Sequence, residues 1–531
     1  LNRREFLRTA CAAATASHCP GYRADKAFGA PAAQISLLAG FPLKELRDQY
    51  YSYLFDDFLP FMEKYVIDTQ YGGFLWNCDR DGARLGTSKT PTNEGRGIWV
   101  WSFLYNELAH EQKYLDVAKK SLDLILKTMP EGDALWARTL TQDGKAAAAA
   151  DVTIYGDLYI AAGIAEYAFA ARDNGYWKLA KDIMEKCIRF YDKPDYDSIT
   201  GANAIQGPRR QNVSMLLLPT TTSLLKYQAD SGVEAVAARC VDAVTNYHYN
   251  PLYQLNNDFL NHDYSRPNNT YSKYIAFGIS NQTLWMILKE ALRLKDSKLF
   301  DTIAERIKHH VEMGWDDAYG GVFSTYSNIE TNTRDWSKTL HNQTEALVGL
   351  LSIIENSGDP RAQELFSQVY TFTIQKYVLK KYGYPLWQHD ADRYVTYQPH
   401  TTRAEHFHNS RHLMMNLAAL NRMIGKSEIT QVNSVFDRPE EIRITSVYPN
   451  PFNFSGTIEF TLPFHAFIKL DVYNISGQKI KGLISGYKTS GFYKAVWNGK
   501  DEKGKDVSSG VYIAKLMAGK QISTIKTMLL R

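Results

Sequence analysis

Cysteine is scarce in this chain, with five residues in 531: Cys11, Cys19, Cys78, Cys187 and Cys240. No two stand as C-x-x-C, which excludes a disulfide framework and a thiolate zinc site. Past the N-terminal region no stretch is long and apolar enough to cross a bilayer, so stable membrane insertion is excluded. Charge of one sign is missing too. Lys and Arg number 61 against 57 acidic residues, a net charge of +4, and they are dispersed. A nucleic-acid partner requires a concentrated basic stripe, and none exists. What the chain does have is a globular balance, 44% hydrophobic and 22% charged, with 34 Tyr and 10 Trp. Most of these rings serve as core. Some suit stacking against the C–H faces of sugars.

The chain reads as three regions. Residues 1–33 form a leader and linker. "NRREFLRTACAAATA" places Arg3 and Arg4 ahead of Phe6, Leu7 and a short small-apolar stretch, an arrangement that resembles a twin-arginine export signal. From 40 to 427 apolar residues recur at i, i+3, i+4 and i+7 in segments such as "DLYIAAGIAEYAFAARD" and "QTEALVGLLSIIENSG". Gly, Pro, Asn and Asp clusters separate about a dozen such helices. A repeat runs through them: "DTQYGGFLWNCDRDG" from Asp68 and "DDAYGGVFSTYSNIET" from Asp316, with "KYGYPLWQHDADR" from 381 as a looser third copy. Helix pairs joined by hairpin-bearing loops predict an all-α (α/α)6 barrel with a cleft at one end. From 437 to 531 short alternating runs between "NISGQ", "DEKG" and "SSG" turns predict a small all-β, immunoglobulin-like sandwich with Trp497 in its core.

Two resemblances follow. "YPNPFN" (Tyr448 to Asn453), "DVYNISGQKI" and "WNGKDEKGKDVSSGVYIAKL" resemble the C-terminal sorting domain of the type IX secretion system. This implies export to the periplasm, cell surface or medium, with export machinery as partner at both termini. In the helical region "NEGRGIWVWSFLYNEL", "IYGDLYIAAGIAEYA", "DDAYGGVF", "KTLHNQTEAL" and "EHFHNSRHLMMNL", in that order, are similar to the N-acylglucosamine 2-epimerase family, which includes cellobiose 2-epimerases and mannose isomerases. The resemblance implies the same barrel, a reducing-sugar substrate, and proton transfer at the carbon beside the carbonyl, with no metal and no cofactor. Histidine suits that task because both of its protonation states are accessible near neutrality.

Five histidines lie between His389 and His412. By resemblance His408 is the catalytic histidine and Arg96 the inner-helix arginine that stabilises an enediolate. Arg411 shares a helical face with His408. The chain departs from the family in "FGISNQTLW", where Ile279 stands for a second histidine and Gln282 for an acid. In "QNVSMLLL" a third histidine position offers only Asn212 or Ser214. His341 is the expected substitute, with His262 as the alternative. Trp99, Tyr155, Asp157, Glu345 and Trp387 are expected to line the substrate site.

Three other readings stand beside these. His406, His408 and His412 have the spacing of a metal cluster, with Glu405 the one carboxylate near them. A glycoside hydrolase on the same barrel needs two carboxylates, for which Glu94, Asp157, Glu345, Asp390 and Glu405 are candidates; a lyase would use His408 or a tyrosine. A non-catalytic glycan-binding barrel would rely on Trp99, Trp101, Trp336 and Trp387.

Overall fold

The computed structural model describes residues 35–79, 82–379, 386–387, 407–425, 442–462, 466–488, 491–519 and 521–530. The leader, His389, Asp390, Glu405, His406 and the third Tyr-Gly repeat lie outside the described residues, as does the side chain of Trp387. Two compact units divide the chain, 1–429 and 430–531.

Among the described residues the first unit holds twelve principal helices: α1 Leu43–Tyr51, α2 Pro91–Glu107, α3 Gln112–Leu126, α4 Tyr155–Ala171, α5 Asn174–Tyr191, α6 Gln211–Tyr227, α7 Ser231–Asp242, α8 Phe277–Leu294, α9 Ser297–Gly314, α10 Leu340–Ser357, α11 Pro360–Tyr377 and α12 His408–Met423. The helical run begun by α1 continues in π and α turns to 66. Even-numbered helices pack in a ring, α2 on α4 and onward to α12, which closes on α2. Each odd-numbered helix from α3 backs the inner helix before it, and α1 backs α12. Sequence accounts for the two layers. In α4 every residue from Gly156 to Ala168 is buried, as a helix apolar all round must be. In α3 only a stripe including Tyr114, Leu115, Ala118, Leu122 and Ile125 is buried.

Contacts at matching depth show that the inner helices run parallel. Arg96 in the second turn of α2 bonds Tyr159 in the second turn of α4 (2.8 Å). Deeper, Glu166 of α4 accepts from Ser223 of α6 (2.7 Å). All six N-terminal ends therefore open on one mouth.

Two of these ends are built alike. In the first copy Asp68 accepts from the backbone N–H groups of Gln70 and Tyr71 through Oδ1. Lys89 Nζ then donates to Asp68 Oδ2 (2.9 Å) and to the Gly72 and Gln142 carbonyls. In the second, Asp316 accepts from Ala318 and Tyr319, and Lys338 donates to Asp316 Oδ2 (2.8 Å) and the Gly320 carbonyl. Each turn carries two glycines at positive φ, +83° and +78° in one and +76° and +87° in the other, a region side chains rarely enter. Thr90 caps α2 and Thr339 caps α10 by accepting from the third residue on.

Among the described residues the second unit is a sandwich of seven antiparallel strands: β1 Arg443–Tyr448, β2 Gly456–Leu462, β3 Ala466–Asn474, β4 Lys479–Lys488, β5 Gly491–Trp497, β6 Gly510–Ala518 and β7 Gln521–Leu529. The sheet orders are β1-β2-β5 and β4-β3-β6-β7. Trp497 is buried between them, edge-on to Phe452 and Tyr512, and its indole N–H donates to the Lys500 carbonyl (3.0 Å).

Candidate active site

His408 is the first residue of α12 and His341 the second of α10, so both rings stand at the mouth. Their centroids are 4.0 Å apart. His341 fits because Gly278 of α8 has no side chain: a Cβ there would meet the imidazole at 2.9 Å and Asn342 Oδ1 at 2.3 Å. Glu345, one turn below His341, ties the neighbours together. Its Oε1 receives His408 Nδ1 (2.9 Å) and Arg411 Nη2 (2.5 Å), and its Oε2 receives the Trp285 indole N–H (2.7 Å). Arg411 Nη2 lies 3.0 Å from His408 Nδ1, two donors converging on one carboxylate oxygen.

Gln282 completes the network. Its amide nitrogen donates to His341 Nε2 (2.9 Å) and its oxygen accepts from both Arg411 terminal nitrogens (2.9 and 3.0 Å). A guanidinium only donates, so it demands that orientation. His341 Nε2 is then an acceptor and the ring is neutral. Burial, then the neighbouring His408 ring, holds its pKa well below the usual imidazole range.

On the adjoining helix α2 stands Arg96, its guanidinium 4.4 Å from the Tyr159 ring centroid and 5.1 Å from that of Phe407. Trp99 stacks on Phe103 and meets Phe407 edge-on. Below these groups lies a mainly apolar cavity of about 30 Å³, bordered by Trp99, Tyr159, Leu216, Trp285, Phe407 and Arg411.

The structure thus brings together His408, His341, Arg411 and Glu345, with Arg96 and Trp99 on the adjoining helix α2. Other expectations are corrected. Asp157 points away from the mouth: it pairs with Lys186 (2.8 Å) and accepts from the Trp136 N–H, a buried ion pair behind α4. Tyr155 does not reach the histidines but donates to Asp197 (3.3 Å) on another part of the rim. His262 is held by the Gly207 carbonyl and Arg209 in a loop. Glu94 accepts from the Phe74 N–H and Ser121 inside the wall. Among the described residues no two of the proposed hydrolytic carboxylates face one another across the mouth.

The metal reading changes as well. His412 turns to the Tyr50 hydroxyl (2.9 Å), away from His408. A different trio, His341, Glu345 and His408, sets one donor atom from each within 4.8 Å of the others. Arg411 already places its positive charge on the Glu345 oxygen there, which repels a metal cation. Gln282, Trp285, Tyr159 and Phe407 are absent from the sequence-derived site. The signal for the first two was present in "FGISNQTLW", where Trp285 reads as a residue kept from the family's pattern and Gln282 as the loss of an acid.

Both regions of the chain match known families. Residues 60–409 match the N-acylglucosamine 2-epimerase (GlcNAc 2-epimerase) family, and residues 446–531 match the secretion system C-terminal sorting domain. The N-acylglucosamine 2-epimerase of Rattus norvegicus is 23% identical over 344 residues, covering 62% of this chain and 80% of the relative. That of Homo sapiens is 23% identical over 343 residues, covering 62% and 79%. Among solved structures, a sugar epimerase from a ruminal bacterium superposes with a TM-score of 0.59 at 18% identity, covering 70% of this chain and 98% of that one. Cellobiose 2-epimerase from Bacillus thermoamylovorans gives 0.60 at 14%, covering 70% and 99%. These likenesses establish the barrel. The chain belongs to the N-acylglucosamine 2-epimerase family, as an exported member that carries a secretion sorting domain.

Proposed function

We propose that this protein is an exported sugar epimerase that moves a proton at the carbon beside the carbonyl of a reducing sugar, with His341 and His408 as the proton carriers. The observation that carries the reading is the imidazole pair, 4.0 Å apart and backed by Glu345 and Arg411. Two imidazoles that close do not both hold a charge. His341 is held neutral with its Nε2 engaged by Gln282, so His408, oriented through Nδ1 by Glu345, is the ring that takes the proton first. The C–H bond breaks toward an imidazole nitrogen, and its electrons move onto the carbonyl oxygen. Arg96 and Arg411 stabilise the resulting enediolate. Return of the proton to the opposite face of the same carbon gives the epimer.

The spacing sets a condition on that return. A proton donor needs its nitrogen about 3–3.5 Å from carbon, so no sugar carbon fits between rings 4.0 Å apart. The substrate stands beside both rings, and the enediolate turns over between removal and return. Ile279, at the position where the family carries its second histidine, supplies no opposite-face base.

The test is to incubate the protein in D2O with reducing mono- and disaccharides and follow the C2 proton by NMR. Wild type exchanges this proton and forms the C2 epimer. His408→Ala abolishes both. A folded protein that labels no sugar in the panel overturns the proposal. Export at the N-terminus through the twin-arginine route is part of the same reading, and is checked by the location of an Arg3→Lys, Arg4→Lys variant.

A further inference from the structure

The far end of the lumen, where the inner helices finish, carries a group that the proton-transfer chemistry leaves unused. Each inner helix places a charged residue toward that end: Glu107 on α2, Glu166 on α4, Lys226 on α6, Lys289 on α8, Glu355 on α10 and Arg422 on α12. Lys226 pairs with Glu107, and Arg422 with Glu355. Glu166 accepts from Asn106 (2.6 Å) and Ser223 (2.7 Å). Lys289 differs from all of these. Among the described residues its Nζ makes no hydrogen bond and no ion pair.

The surroundings of Lys289 are those that make an amine nucleophilic. It follows Trp285 by one turn of α8, and its Nζ lies 5.3 Å from the indole centroid. Trp285 also borders the cavity beneath the histidines. Charges on four other inner helices act on Lys289, the cations of Arg422 and Lys226 and the carboxylates of Glu107 and Glu166, so the amine stands inside the ring. Burial against an aromatic face and two like charges both favour the neutral form. Burial first, then Arg422, lowers its pKa to about 8. A lysine desolvated beside another cation is the form in which this side chain attacks carbonyl carbon. Lys289 is half-buried, and Lys226 and Arg422 beside it are partly exposed, so a small reagent reaches it from solvent. An anion there would meet two carboxylates and the negative ends of the helices. An uncharged carbonyl meets no such repulsion, and the imine formed from it returns a positive charge to the same place.

We infer that Lys289 is a nucleophilic amine that captures small aldehydes as an imine at the far end of the lumen. The inference is independent of the reading under Proposed function. The Nζ lone pair attacks the aldehyde carbon and forms an N–C bond, while the C=O π electrons move to oxygen. The two amine protons leave with that oxygen as water, and the C=N nitrogen takes a proton from solvent.

The experiment treats the full chain with glyceraldehyde and cyanoborohydride, which reduces the imine to a stable secondary amine. Peptide mass spectrometry follows each lysine between pH 6 and pH 9. At pH 7 about one in ten amines with a pKa of about 8 is free, against about one in 2,500 for an ordinary lysine. A less basic amine is a weaker nucleophile, so the expected advantage is smaller than that ratio. At pH 7 Lys289 should label at least about tenfold faster than exposed lysines such as Lys193 and Lys503. The advantage should shrink above pH 8, where Lys289 is already free and the others are still losing protons. Lys289→Arg, with circular dichroism unchanged, should remove the fast label. Labelling of Lys289 no faster than the exposed lysines overturns the inference. So does an advantage that stays constant across the pH range, or a fast label that survives Lys289→Arg.

Discussion

The turn leading into α2 and the turn leading into α10 are the same device used twice. "KTPTNEGR" from Lys89 and "KTLHNQTE" from Lys338 align residue for residue. The shared positions hold the scaffold: the buried lysine, the threonine cap, the asparagine, and a Glu94 or Gln343 that accepts from the Phe74 or Val322 N–H. Two of the positions that differ carry the site's side chains. Thr92 corresponds to His341 and Arg96 to Glu345. The difference teaches that the ring's architecture is carried by one set of residues and its chemistry by another, interleaved along the same eight-residue stretch. Substitutions can therefore separate the two.

The largest expected effect strikes the shared set. Lys89 and its partner Asp68 are almost wholly buried, as are Lys338 and Asp316. Removing one member of such a pair costs about 3–5 kcal/mol. Lys89→Met and Lys338→Met should each lower unfolding stability in urea by that order, alike in both copies. A loss in one copy only would break the equivalence.

Next comes the contrast between the two carboxylates. Glu345→Gln removes the charge that binds His408 and Arg411, and should lower kcat for C2 exchange by about 10²–10⁴-fold with the fold retained by circular dichroism. Glu94→Gln should leave exchange unchanged, since the second copy already carries Gln343 there.

Glu94 makes its own statement about pH. Burial raises its carboxyl to about 7, against Ser121 and the Phe74 N–H that favour the charged form. A carboxyl whose folded pKa lies above the unfolded value, about 4.3, contributes stability in its protonated form. That contribution is complete below the unfolded value and is lost as pH rises through about 7. The size is roughly 3 kcal/mol. Glu94→Gln should flatten the urea midpoint between pH 5 and pH 8, gaining most at pH 8. An unchanged slope would show that the carboxyl is ionised in place.

The smallest effect belongs to the caps. Thr90→Ala and Thr339→Ala should each cost about 1 kcal/mol. Only the second is expected to disturb exchange, because α10 presents His341 from its first turn.

Much of this was legible in the sequence because the repeat is written in residues with fixed physical duties. Paired glycines mark a positive-φ turn, and alternation of fully apolar with half-apolar helices marks inner and outer layers. The assignment of His408, Arg411, His341 and Glu345 to one cleft also follows from helix order. What the sequence hid was partnership across helices. Asp157 looks like a cleft residue at the start of α4 until Lys186 of α5 is seen to neutralise it. Gln282 looks like a lost acid until it is found bridging His341 and Arg411. Spacing along one helix gives the face a residue occupies, but not which neighbour comes to meet it.

The parallel ring has one more consequence. Every inner helix ends its peptide dipoles at the mouth with about half a positive elementary charge, so six such ends surround the reacting sugar. That field favours an oxyanion without any added side chain, and it disfavours charge on an imidazole in a first turn, as at position 341. The opposite end of the lumen carries the reverse sign.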